Sequence, residues 1–96
     1  MKIEVTKDAA DWYKSEMSLQ NGDKIRFFVR YGGLSTVQKG FSLGIEKEEP
    51  TDIGAKTTVE GILFYIEEKD LWYFDNHDLR VKLNTKWEEP EFEYSL

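Results

Sequence analysis

Between Ile25 and Ile45 the chain reads IRFFVRYGGLSTVQKGFSLGI, two runs of alternating apolar residues joined by a loop with glycines at both ends. A period of two places successive side chains on opposite faces of an extended strand. Ile25, Phe27, Val29 and Tyr31 fall on one face, and Arg26, Phe28 and Arg30 on the other. Phe28 interrupts the polar side, so that face is predicted to be partly covered. After the loop, Phe41, Leu43 and Ile45 alternate with Ser42, Gly44 and Glu46. About nine residues separate the two strands, where a tight hairpin uses two. The loop is longer than the strand connection requires.

The rest of the chain supplies the partners such strands need. Ile3 and Val5 mark a short strand over Lys2 to Val5. Thr6 then caps a helix predicted over Lys7 to Ser18, with Asp8 and Asp11 near its positive end. Ala9, Trp12, Tyr13 and Met17 form its apolar stripe, and Asn21-Gly22 offers the left-handed stop. Glu46 to Gly54, with Pro50, reads as an exposed loop. Lys56 to Val59 and Ile62 to Ile66 read as strands across a Glu60-Gly61 turn. Glu67 to Asp70 reads as a polar break with room for one helical turn. Leu71 to Phe74 is a dense apolar patch, and Asp75 to Asp78 a turn by composition. Leu79, Val81 and Leu83 mark another strand. The tail from Trp87 to Leu96 alternates aromatic and acidic residues, as a protected edge strand does. One helix among six or seven strands, without a βαβ rhythm, predicts a single α+β, mainly β domain over residues 1–96, with antiparallel or mixed sheets.

Charge and composition narrow the function. Nineteen acidic against thirteen basic residues give a net charge of −6, which disfavours a nucleic-acid binder that works through phosphates. No apolar run approaches the roughly 20 residues of a membrane span, so a cytoplasmic protein is expected. With no cysteine, there is no disulfide, no thiolate metal site and no cysteine nucleophile. No serine stands in a nucleophile elbow either, so no catalytic residue is assigned.

The glycine-flanked loop is the one candidate site. Gly32 and Gly33 permit positive φ and can expose successive N–H groups to an anion. Ser35 and Thr36 add hydroxyls, with Arg26, Arg30 and Lys39 near in sequence. The pattern is neither GxGxxG nor a Walker loop, so a plain turn is the simpler reading. His77, the only histidine, has Asp75 and Asp78 beside it in sequence. Glu46, Glu48, Glu49 and Asp52 form one acidic cluster; Glu88, Glu89, Glu91 and Glu93 form another. None has the spacing of an EF-hand, and solvated edges account for both.

A strand running into Gly32-Gly33-Leu34-Ser35-Thr36, followed by Phe41-Ser42-Leu43, resembles the HesB/IscA-like iron–sulfur biosynthesis domain. In that family the loop reads Gly-Gly-Cys-Ser-Gly. The order of elements agrees from Lys2 to Phe74, including the strand and helix ahead of the loop. The resemblance implies the HesB-like fold. It also implies three cysteine ligands, one in this loop and a Cys-Gly-Cys near the C-terminus. Leu34 stands at the first position, and Thr85 to Phe92 contains no counterpart of the pair. Iron–sulfur clusters are held by thiolates, so this is expected to be a cysteine-free branch with no cofactor and no metal site of the family's kind. The expectation is a non-enzymatic binding module whose partner is a protein or small ligand, with Gly32 to Thr36 at or near its binding surface. The alternative is a divalent metal held by the carboxylates and His77.

Overall fold

Thr6 begins the ordering of the chain. The computed structural model describes residues 1–96, and in it the Thr6 hydroxyl accepts from the Ala9 N–H at 3.2 Å. That cap, worth about 1 kcal/mol, opens α1 (Lys7–Glu16) directly after β1 (Ile3–Val5). Ala9, Ala10 and Tyr13 carry its buried face. The helix ends before the Asn21-Gly22 signal. Met17 N–H donates to Tyr13 O and Leu19 N–H to Lys14 O, while Ser18 takes φ +52°. Ser18 therefore supplies the left-handed turn. Gly22 serves the next one, where its N–H reaches Gly61 O.

Six strands follow: β2 (Lys24–Tyr31), β3 (Phe41–Lys47), β4 (Ile53–Val59), β5 (Ile62–Glu67), β6 (Asp78–Asn84) and β7 (Glu89–Ser95). The expected mainly β, α+β architecture is present, in two mixed sheets. One is ordered β3-β2-β5-β4 and the other β1-β6-β7. β2 and β5 run parallel, as do β1 and β6, and the remaining neighbours are antiparallel. β7 is an edge strand, as its alternating charges imply. β4 starts earlier than the alternation suggests, at Ile53, so the loop before it is short. Glu60 and Gly61, at φ +53° and +77°, make the tight turn into β5, where two successive positive φ values match the strand twist.

Sixteen buried side chains form one apolar cluster, contributed by α1, both sheets, Leu19 and the pair Tyr73-Phe74. Phe27 of β2 stacks on Phe64 of β5 with centroids 5.9 Å apart, and meets Phe92 of β7 edge-on at 5.7 Å. These rings join sheet to sheet. Burial raises the pKa of Tyr13, and burial with the 2.8 Å bond to Tyr73 raises that of Tyr94. Tyr65, whose hydroxyl donates to Glu48 O at 2.7 Å, is pushed up to about 12, first by burial. All three stay neutral as structural hydroxyls.

The segment after β5 departs from the sequence expectation. Glu68 to Phe74 is a 3-10 helix that absorbs the Leu71 to Phe74 patch. Glu67 and Asp70, expected in a polar break, are buried at 4% and 7% exposure. Glu67 accepts from Thr51 N–H and Asp52 N–H at 2.7 Å each, which fixes the start of β4. These backbone bonds, the one from Thr51 first, hold its carboxyl below the usual carboxylate range.

Candidate functional site

Tyr31 and Phe41 are the last paired residues of β2 and β3. The loop between them, residues 32–40, is closed at its neck by Gly32 N–H donating to Gly40 O at 2.7 Å. Inside it, the Ser35 hydroxyl accepts from Gln38 N–H at 3.1 Å and donates to Gln38 O at 3.0 Å. Below it, the Ser42 hydroxyl donates to Gly32 O and accepts from Arg30 Nε, both at 3.0 Å. The Gly32 N–H and Ser35 O–H, two donors that an anion cradle would use, are thus spent within the loop. The loop is an ordered turn, and it projects Leu34, 91% exposed, into solvent.

Gly33 is the constrained position. Its φ is +75°, and a Cβ there would lie 2.6 Å from Ser42 Oγ. Gly33→Val is expected to cost roughly 1–3 kcal/mol from the left-handed backbone alone, with further displacement of Ser42. Urea unfolding together with the amide shifts of residues 32–42 measures this. Unchanged stability and shifts would show that the loop tolerates a branched residue there.

An apolar row crosses the base of the loop. Tyr31, 88% exposed, meets Phe41 edge-on at 5.6 Å, and Phe41 meets Trp72 edge-on at 5.2 Å. Trp72 comes from the 3-10 helix and is 52% exposed. On the inner side, Leu34, Ser35 and Thr36 border a cleft of about 400 Å³ whose far wall is Tyr73, Phe92 and Tyr94. The structure therefore brings Leu34, Ser35 and Thr36 to one surface with aromatic residues distant in sequence.

Most of the other candidates are drawn into structural roles. His77 Nδ1 lies 2.9 Å from Phe74 O and 3.0 Å from Asp75 O. Carbonyl oxygens only accept, so Nδ1 carries the proton and the ring caps the 3-10 helix. The Asp78 carboxylate instead accepts from Lys2 N–H at 2.7 Å. Glu46 and Glu48 lie 3.8 and 3.1 Å from Arg26, and Glu49 3.1 Å from Lys24. Glu91 and Glu93 pair with Lys82 across the β6–β7 ladder, and Glu93 also with Arg80. No three of the His, Asp and Glu side chains converge in a way that could hold a metal ion.

The cluster that sequence reasoning missed lies on the covered face of β2. Arg26, with its side chain 12% exposed, reaches Asp70 at 3.0 Å and stacks 6.0 Å over the Phe28 ring. Burial would lower the guanidinium pKa; hydrogen bonds to Asp70 and Glu48 outweigh that and raise it. Arg26 Nε remains buried without a partner. Phe28, as the break in the polar side of β2, was the signal that something covers this face. The partner that holds Arg26, Asp70 on the 3-10 helix, lies 44 residues away.

The family pattern described as iron-sulphur cluster biosynthesis matches residues 1–89. The chain belongs to the iron-sulphur cluster biosynthesis family. It is a cysteine-free member, with Leu34 exposed at the loop tip. This family member is 55% identical to a protein of Bacillus subtilis (strain 168) named pyruvate dehydrogenase inhibitor, over 98% of this chain and 99% of that one. It is 41% identical to an uncharacterized protein of Staphylococcus saprophyticus, over 96% of this chain and 97% of that one. An uncharacterized protein of Staphylococcus aureus (strain MRSA252) is 40% identical, over 99% of this chain and 98% of that one. No helix of the chain is long and apolar enough to cross a membrane.

Proposed function

We propose that this family member is a cytoplasmic, non-catalytic binding protein that inhibits a pyruvate dehydrogenase by docking on it. The observation that carries this reading is the 55% identity, across nearly the full length of both chains, to a protein named pyruvate dehydrogenase inhibitor. Two features of the chain support it. Without a cysteine it has no thiolate with which to hold a cluster as its family's chemistry requires. Its protruding loop is internally bonded and ends in an aliphatic side chain, which suits contact with a protein surface better than turnover.

The test is a titration of the purified protein into a pyruvate dehydrogenase complex assay that follows pyruvate-dependent NADH formation. Inhibition that saturates with protein added, is reversed on dilution and accompanies co-elution with the complex supports the reading. Full activity at a large molar excess, with no co-elution, overturns it.

A further inference from the structure

The chain carries nineteen acidic residues, and none lies between Lys24 and Ile45, where four basic residues do. Of those four, Lys24 and Arg26 are engaged by Glu49, Glu48 and Asp70. Arg30 and Lys39 are different. Both are exposed and both lack a carboxylate partner, and Arg30 spends only its Nε on Ser42. They bracket the loop that holds Leu34 and the two aromatic residues Tyr31 and Phe41. The hairpin tip is therefore an apolar, cation-flanked island on an otherwise acidic molecule.

We propose that this tip is the face that engages the inhibited enzyme, and that the enzyme presents an apolar socket with carboxylates at its rim. The proposal rests on the inhibitory reading above and adds the surface and the chemistry of its partner. Leu34 is the plug: 91% exposed, it stands on a loop whose neck and interior are already hydrogen-bonded. Little ordering entropy remains to be lost on docking. Tyr31 and Trp72 extend the apolar contact in a row through Phe41, and aromatic anchors of this kind dominate interface energetics. Arg30 and Lys39 supply the steering charges, which raise association rate and favour acidic surfaces. Glu91, the one carboxylate bordering the cleft beneath Leu34, is occupied by Lys82 and Asn84. Glu89 shares a second cleft with Arg30, which leaves Lys39 as the cation that shares no cleft with a carboxylate. Trp87, also exposed at 67%, lies outside this row beneath Lys86.

Three variants decide the matter in the same inhibition assay, each first checked for folding by its thermal melt. Leu34→Asp is expected to raise the half-inhibiting concentration on the order of tenfold or more. Lys39→Glu is expected to raise it by roughly threefold and to weaken its dependence on salt. Lys56→Glu carries the same charge change on β4, at the sheet edge opposite β3, and is expected to inhibit like the parent. Lys39→Glu decides the question if Leu34→Asp does not fold. Parent inhibition with all three variants equally potent overturns the docking face while leaving the inhibitory reading intact. A parent protein that does not inhibit overturns both. If Leu34→Asp instead converts a dimer to a monomer on light scattering, with inhibition unchanged, the tip is a contact between copies of this chain and the proposal falls.

Discussion

Replacing Asp70 with alanine is expected to destabilise the protein by about 3–5 kcal/mol, the usual cost of stranding one member of a buried ion pair. Asp70 and Arg26 expose only 10% and 12% of their side chains and meet at 3.0 Å. Asp70 also accepts from the Val29 N–H at 3.4 Å, and Arg26 Nε has no partner of its own. Without it the guanidinium keeps Glu48 at 3.1 Å and the weaker contact with Glu46 at 3.8 Å. Both glutamates are nearly half exposed, so solvent screens what they can return. A loss of this size is a large share of the roughly 5–15 kcal/mol that holds a typical domain folded. Urea unfolding would show it as a lower midpoint at unchanged slope. The double variant Arg26→Met with Asp70→Leu is expected to recover much of the loss, because it removes the buried charge with its partner. A single variant that costs less than about 1 kcal/mol would mean that Glu46 and Glu48 satisfy Arg26 unaided, in the range of exposed pairs.

This cluster also shows where the sequence stops being informative. Alternation announced the strands, and the Phe28 interruption announced that the second face of β2 is covered. Neither could say by what, because contact between Asp70 and Arg26 is a product of topology. The segment Glu67 to Asp70 reads as a polar break with room for one helical turn, and a 3-10 helix does begin there. Glu68 and Lys69 are indeed exposed, but Glu67 is consumed by the backbone of Thr51 and Asp52, and Asp70 by Arg26. A charged residue reads as solvated in a sequence until its partner is located. The acidic clusters follow the same rule: Glu46, Glu48 and Glu49 balance the cations of β2, and Glu91 and Glu93 those of β6.

The loop was legible for a complementary reason. Its glycines are local signals, and positive φ at Gly32, Gly33 and Gly40 is a local property. What lay beyond local reading was its apolar company. Trp72 and the cleft wall of Tyr73, Phe92 and Tyr94 come from elements more than thirty residues away. The helix stop failed for yet another reason: Ser18 adopts φ +52°, so a residue without glycine's freedom ends the helix ahead of the stronger Asn21-Gly22 signal.

The second large effect is expected at Phe27. This ring is fully buried and touches three elements at once. It stacks on Phe64 of β5 at an interplanar angle of 13°, lies 6.1 Å from Tyr13 of α1 and meets Phe92 of β7 edge-on at 84°. Phe27→Ala is expected to cost about 3–5 kcal/mol, combining lost apolar transfer with an unfilled cavity. The cost should exceed that of Phe92→Ala, because Phe92 is partly exposed on an edge strand. The substitution also tests how the candidate surface is supported. Phe92 forms part of the cleft wall facing Leu34, and Phe27 is the ring against which it rests. Amide exchange in β7 should therefore accelerate more than exchange in β4, at the far edge of the other sheet. Equal acceleration in both strands would mean that Phe27 supports the whole core uniformly and does not act as the particular tie between β2 and β7.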